Sequence, residues 1–343
     1  MTTARSIRLA ARPKGLATLK DLSLTEDPIP VPGPGQFLVR VIWLSLDPYM
    51  RGRMDDAKSY AKPVDIGDIM QGGCVGEVLA SHHPHYTPGE IVTGAFGWTT
   101  HAVSDGEGVR KLDPRLAPVS TALGVLGMPG ITAWVGLNDI AAAQPGETIV
   151  VSAATGAVGG LVGQLAKAKG MTVIGLAGGP DKCAYACEAL GYDHCLDHRA
   201  APDARTLGAR IAEVAPQGVD VYFENVGGKS LSAVLPRMNV HGRVALCGMI
   251  AWYGGQNLEE ALPLPLVWRT VLTRRLGVQG FIIFDHFHRF PEFLKEVGPM
   301  VADGRIVVRE DVTEGIENAP AAFLRMLGGG NFGKTLVRVG PDP

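Results

Sequence analysis

The chain has 343 residues, 46% of them apolar and 19% charged, with 32 Lys and Arg against 34 Asp and Glu for a formal charge of −2. This length suits two domains better than one, the apolar share excludes a disordered chain, and the charge balance excludes the basic footprint of a nucleic-acid binder. Glycine supplies 45 of the 343 residues, about twice the usual share. No G-X-Y period absorbs the excess, so it must serve tight turns or close backbone approaches to a ligand.

In chain order, the basic start Arg5-Ser-Ile-Arg8-Leu-Ala-Ala-Arg12 has the composition of a transit peptide. The reading adopted is a first strand, Ile7 to Ala11, closed by a Pro13-Lys14-Gly15 turn. Up to about residue 120, short β-like runs (37–43, 76–79, 90–93) separated by Gly and Pro predict a small irregular β-barrel or sandwich. After Gly146 strands and helices alternate. Strands are expected at 148–152, 172–176, 219–224, 243–247 and 278–283, with helices near 158–169 and 182–190. Continuous apolar strands in such an alternation predict a parallel sheet covered on both faces. A last strand at 333–339 is expected to rejoin the first domain. The fold class is therefore α/β, with domain limits at 1–125 plus 310–343 and at 126–309.

The five cysteines, at 74, 183, 187, 195 and 247, form no C-x-x-C pair. They read as buried small side chains in a reducing cytoplasm rather than as zinc ligands. No apolar run reaches the ~18 residues of a membrane span. His82-His83-Pro84-His85 is compact enough to raise a metal, but the Thr87-Pro88-Gly89 turn after it favours a solvated hairpin.

The strongest local signal is Ser152-Ala-Ala-Thr-Gly156-Ala157-Val158-Gly159, which follows a strand and opens a helix. Read as G-x-G-x-x-G, it has Ala154 in the first place, while Gly156 admits a pyrophosphate and Gly159 lets the helix pack close. An NAD enzyme places an acid at the end of the next strand. Here that end is Gly178-Gly179, with Lys182 in reach and Asp181 expected in the first helical turn, so NADP(H) is favoured.

The chain resembles the medium-chain dehydrogenase/reductase superfamily. More narrowly it is similar to the zinc-free NADPH-dependent alkenal, prostaglandin and curcumin double-bond reductases. The markers are Leu46-Asp-Pro-Tyr-Met-Arg51, Leu126-Gly-Met-Pro-Gly-Ile-Thr-Ala133, Ala153-Ala-Thr-Gly-Ala-Val-Gly159, Phe223-Glu-Asn-Val-Gly-Gly228, Cys247-Gly-Met-Ile-Ala-Trp-Tyr253, Gly280-Phe-Ile-Ile283 and Asn331-Phe-Gly-Lys334. The resemblance implies a GroES-like β-barrel domain, a Rossmann domain with a six-stranded doubly wound parallel sheet, and a homodimer joined through that sheet. It implies that Gly156, Ala157, Val158 and Gly159 take the pyrophosphate, that Lys182 beside Gly178 binds the 2′-phosphate, and that His198, with Arg199, flanks the adenosine. Met128, Pro129, Asn225, Cys247, Phe281, Ile283 and Asn331 would line the nicotinamide and its ribose.

The same resemblance places Tyr253 over the hydride-transfer site and makes Tyr49 and Tyr60 further substrate contacts; Trp98, Met249 and Trp252 read as apolar walls or, equally, as core packing. Asp47 and Arg51 could equally form an i, i+4 helical pair. Cys74 lacks the His-Glu neighbour that zinc-dependent relatives supply, so no metal is expected. Without a Lewis acid to activate an alcohol, the expected reaction is NADPH-dependent reduction of the C=C bond of enals, enones and curcumin-like carbonyls. Hydride would go to the β-carbon, and Tyr253 would protonate the enolate or orient the substrate. Quinone reduction, or NADPH binding without turnover, are the alternatives.

Overall fold

The computed structural model describes residues 3–256 and 258–342. The chain forms two compact units, Met1–Gly127 with Arg309–Pro343, and Met128–Val308.

In the first unit β1 (Thr3–Leu9) pairs antiparallel with β2 (Leu22–Pro28), Ile7 opposite Leu24. The strand expected at 7–11 thus begins four residues earlier and ends before Ala10, where pairing with Leu22 stops. The spine is β3 (Phe37–Ser45), whose near-continuous burial explains its unbroken apolar sequence. A short helix, α1 (Met50–Arg53), follows, and then β4 (Cys74–Ser81), β5 (Ile91–Gly94), β6 (His101–Ser104) and β7 (Arg110–Leu112). One edge of β3 pairs with β4, and its first half also pairs with β6.

The second unit opens with α2 (Met128–Val135) and continues β8 (Thr148–Ser152), α3 (Gly159–Ala168), β9 (Thr172–Ala177), α4 (Pro180–Glu188), β10 (His194–Asp197), α5 (Ala204–Val214), β11 (Val219–Glu224), α6 (Gly228–Val234), β12 (Met238–Leu246), α7 (Leu264–Arg274), β13 (Gly277–Gly280) and α8 (Phe290–Ala302). Helix starts follow local chemistry: Pro180 occupies the first turn of α4 with Asp181 beside it, and Asp203 caps α5 by accepting from the Thr206 N–H at 2.7 Å. The six strands form one parallel sheet in the order β10-β9-β8-β11-β12-β13. This is the doubly wound order whose crevice lies between the first and fourth strands. Its core gathers Val150, Ile174, Leu176, Tyr222 and Val244 from the strands with Leu207 and Ile211 from α5. The strand expected at 278–283 stops at Gly280, opposite the last residue of β12, and Phe281 keeps only its N–H on the Leu246 carbonyl.

The chain then returns to the first unit as β14 (Glu310–Glu314), α9 (Ala319–Leu327) and β15 (Lys334–Arg338). β15 pairs with the second half of β3, Leu336 opposite Ser45, and with β14 on its other side. Ala319, Ala322, Phe323 and Met326 form the i, i+3, i+4, i+7 face of α9 and pack against Trp98 and Met50. Trp98, read from sequence as pocket wall or core, is fully buried in this core, edge-on to Phe323 at 5.4 Å.

Candidate active site

After Ser152 the backbone turns through Ala153, at φ +51°, to start α3 at Gly159. A Cβ on Gly159 would lie 2.3 Å from the Ala153 carbonyl oxygen, so only glycine lets the helix start this close to the strand. No side chain caps α3, and the Gly156, Gly160 and Leu161 N–H groups go to the Ala153, Gly156 and Val158 carbonyls, so the partly exposed Ala157 and Val158, with Gly159, offer the anion cradle and Gly156 leaves it room. Beneath it lies Tyr192. Its buried hydroxyl donates to the Gly159 carbonyl at 2.7 Å, and its ring fills the place of a side chain on Gly163. Tyr192 was not singled out from sequence, although the Gly159/Gly163 spacing on one helix face was the available signal. Burial pushes its phenol well above the ordinary value, so it remains a donor.

At the ends of β9 and β10 a second corner forms. The Cβ position of Gly178 is 2.8 Å from Arg199 Nε and 3.2 Å from His198 Nε2. Asp197 accepts from the N–H groups of Gly179 and Arg199 at 2.9 and 2.8 Å. Burial works against its charge, but these backbone donors hold the carboxyl below its usual range. The His198 imidazole is held below its usual range by burial first, then by the positive charges of Lys229, Arg199 and Lys182. Three cations therefore stand near one imidazole, and Asp181 lies in the first turn of α4 as expected. A phosphate dianion suits this donor set. Lys229, the second residue of α6, escaped sequence reasoning because it lies on another element, and Asp197 because its carboxyl serves the backbone N–H groups of Gly179 and Arg199.

The third group stands at the ends of β8, β11 and β12. Asn225 donates its backbone N–H to Ser152 Oγ and its Nδ2 to the Ser152 carbonyl, both at 2.8 Å. Burial, then the Glu224 carboxylate, pushes the Cys247 thiol up to about 12, so it forms a wall rather than a nucleophile. Past it, Ile250 and Ala251 hang their N–H groups on the carbonyls of Asn225 and Val226 at 3.3 and 2.9 Å. Tyr253 follows, its hydroxyl accepting from the Met249 N–H at 3.3 Å. Phe281 sits edge-on to Phe223 at 6.5 Å, and Ile283 is buried. Met128 and Pro129 open α2, which packs on the turn after Ile283 and on α3. In the second unit Gly156–Gly159, Gly178, Lys182, His198, Asn225, Cys247, Phe281 and Ile283 thus follow the carboxyl ends of the strands of one sheet, and Tyr253 comes shortly after Cys247.

Tyr49, Tyr60 and Asn331 belong to the first unit. The Arg53 guanidinium lies 5.5 Å from the Tyr49 ring centre and 4.4 Å from that of Tyr60. Burial, then the Asp47 carboxylate, raises the Tyr49 phenol; burial also raises that of Tyr60 against the pull of Arg53. The Asp47–Arg51 pair does not form. Helix α1 starts only at Met50, so Asp47 lies outside it and meets Lys334 Nζ at 2.7 Å, while Arg51 pairs with Asp55 at 2.7 Å. Asn331 Nδ2 donates to the Gly333 carbonyl at 3.0 Å. In the β4–β5 hairpin, His83 packs on Phe37 and Tyr86. Among the described residues no cluster of three His, Cys, Asp or Glu could hold a metal.

A family model described as the N-terminal domain of oxidoreductase matches residues 5–112, and one described as zinc-binding dehydrogenase matches residues 157–298. The chain is 48% identical over 336 residues to the NADPH-dependent curcumin reductase of Escherichia coli (strain K12), covering 97% of this chain and 96% of that one. It is 38% identical over 309 residues to the NADP(+)-dependent 2-alkenal reductase of Nicotiana tabacum, covering 90% and 88%. The crystal structure of CurA from Vibrio vulnificus in complex with NADPH superposes with a TM-score of 0.92 at 47% identity, covering 98% of this chain and all of that one. With its glycine turn, its basic corner and its sheet order, the chain belongs to the medium-chain dehydrogenase/reductase family, among the curcumin, alkenal and prostaglandin reductases.

Proposed function

We propose that the chain is an NADPH-dependent oxidoreductase that reduces the C=C bond of α,β-unsaturated aldehydes and ketones. One observation carries the reading: the glycine cradle, the His198–Arg199–Lys182–Lys229 corner and the Asn225–Tyr253 group follow the carboxyl ends of one sheet, in the order a phosphorylated dinucleotide requires. The substrate class rests on the full-length likeness to the curcumin and 2-alkenal reductases.

Bound NADPH supplies the hydride. The chain's part is to bind, orient and handle the proton. We assign Gly156, Ala157, Val158 and Gly159 to the pyrophosphate, and Lys182, His198 and Arg199 to the 2′-phosphate and adenosine, with Gly178 leaving room. Met128, Pro129, Asn225, Cys247, Phe281, Ile283 and Asn331 are assigned to the nicotinamide half. Tyr253 is proposed as the acid that delivers a proton to the α-carbon, with Tyr49 and Tyr60 as substrate contacts; an ordinary phenol is protonated at neutral pH.

We also propose a homodimer joined through the sheet of the second unit. Its edge strand β13 is exposed throughout, and α7 presents Leu264, Trp268 and Leu272 on one exposed stripe. Trp268→Asp should yield a monomer in sedimentation velocity. A cytoplasmic location is supported by the five free cysteines.

Incubating the protein with NADPH or NADH and a panel of enals, enones, curcumin and quinones tests the reading. Saturated carbonyl products, identified by mass spectrometry, are expected with NADPH. Quinol as the sole product would replace the substrate class, and no NADPH oxidation with any acceptor would refute turnover. Lys182→Ala should raise the KM for NADPH about tenfold while leaving that for NADH unchanged.

A further inference from the structure

Glu224, the last residue of β11, is fully buried. Its Oε1 accepts from Ser152 Oγ at 2.9 Å, from the Val226 N–H at 2.6 Å and from the Gly227 N–H at 3.0 Å. Its backbone carbonyl accepts from the N–H groups of Cys247 and Gly248 at 2.9 and 3.1 Å. One residue therefore ties together the ends of β8, β11 and β12. The Ser152–Glu224 bond also crosses the boundary between β8 and β11, where the strand order reverses and dinucleotides enter.

The ties continue outward. Ser152 Oγ, which donates to Glu224, accepts from the Asn225 N–H. The 225–227 turn that Glu224 clamps then offers the Asn225 and Val226 carbonyls to Ile250 and Ala251, at the start of the segment that carries Tyr253. The Tyr222 hydroxyl, two residues back on the same strand face, is buried beside the Glu224 carboxyl. Burial pushes both groups toward their protonated forms. An amide would suit this site as well as a carboxylic acid.

We propose that Glu224 is a positioning residue for the nicotinamide end of the cofactor, setting the 225–227 turn through Val226, Gly227 and Ser152 and, through that turn, the Tyr253 segment. The inference rests on the NADPH reading above. The two ends of the dinucleotide are thereby separated: the basic corner takes His198, Arg199 and Lys182 from beyond β10 and from α4, and its one residue after this turn, Lys229, is held by the Ala201 carbonyl at 2.7 Å.

The test uses two ligands of the intact protein, NADPH and 2′,5′-ADP, which carries the adenosine and 2′-phosphate but no nicotinamide, followed by fluorescence and calorimetry. Glu224→Ala should weaken NADPH about tenfold while leaving 2′,5′-ADP within about twofold, because two amides lose their acceptor only at the nicotinamide end. Glu224→Gln, which keeps the acceptor, should bind both ligands within about threefold of wild type. Should the alanine variant fail to fold, Ser152→Ala is expected to weaken NADPH about threefold with 2′,5′-ADP unchanged. Unchanged NADPH affinity, or equal loss of both ligands, would overturn the inference alone. A wild-type chain that binds no NADPH would overturn the cofactor reading and the inference with it.

Discussion

Two acids lie buried beneath tyrosine-bearing segments, one in each unit, and they are satisfied in opposite ways. Asp47 lies two residues before Tyr49; its carboxylate pairs with Lys334 at 2.7 Å and accepts from Ser45 Oγ, and Lys334 also donates to the Leu46 carbonyl at 2.9 Å. Both members of that pair are nearly inaccessible, at 7% and 4% exposure. Glu224, on the strand before the segment leading to Tyr253, takes a hydroxyl and two amides and, among the described residues, no cation. A buried charge needs a partner of opposite sign or must neutralise itself. The first acid ties β15 to the end of β3 as an ion pair. The second, pushed up by burial, ties strand ends together through dipoles alone. The contrast predicts where each will fail.

The largest effect belongs to the ion pair. Lys334→Met leaves the Asp47 charge buried and alone, and should destabilise the first unit by about 3–5 kcal/mol in urea unfolding. Adding Asp47→Asn should recover most of that loss. A single variant as stable as wild type would break the comparison. Next come the tyrosines. Tyr253→Phe should lower turnover at least about tenfold with NADPH affinity unchanged. Tyr49, whose phenol is raised by burial and then by Asp47, is a poorer proton donor, so Tyr49→Phe should cost no more than about threefold. Steady-state kinetics with one enone and both variants would reverse these roles if Tyr49→Phe proved the slower.

The smallest effect is a pH slope. The Glu224 pKa is raised in the folded state, so the folded chain binds the extra proton above the ordinary carboxylate range. Its contribution is complete below the unfolded value and is lost as pH rises through the folded one. Glu224→Gln has no such proton to lose. Its Tm relative to wild type should therefore climb as pH rises from the ordinary carboxylate range toward neutrality; a flat difference would show that the carboxyl stays ionised.

The glycine turn was legible because the spacing of Gly156 and Gly159 after a strand is itself the geometry: a Cβ at Gly159 would meet the Ala153 carbonyl at 2.3 Å. The basic corner was half legible. Gly178 and Lys182 follow β9 directly and His198 and Arg199 follow β10, whereas Lys229 reaches the same corner from α6 and Asp197 through backbone bonds to Gly179 and Arg199. Tyr192 left only the Gly159/Gly163 spacing as a trace, and Glu224, besides its local bonds to Val226 and Gly227, meets Ser152 from 72 positions away. Asp47 and Arg51 misled because an i, i+4 spacing carries meaning only inside a helix, and α1 begins after Pro48 and Tyr49. Trp98 stayed open because an aromatic near a site motif reads alike as wall or core; its contact with Phe323, contributed by α9 far along the chain, decides for core.

The central claim is that hydride from NADPH reaches the β-carbon of a conjugated carbonyl and that the proton goes to the α-carbon. Turnover of one enone with NADPH deuterated at C4 on the transferred face, in ordinary water, tests it most directly. The account predicts a saturated ketone with deuterium on the β-carbon alone, read by NMR. Deuterium on the carbonyl carbon of an alcohol, or an enone recovered unlabelled while quinones are reduced, would contradict it.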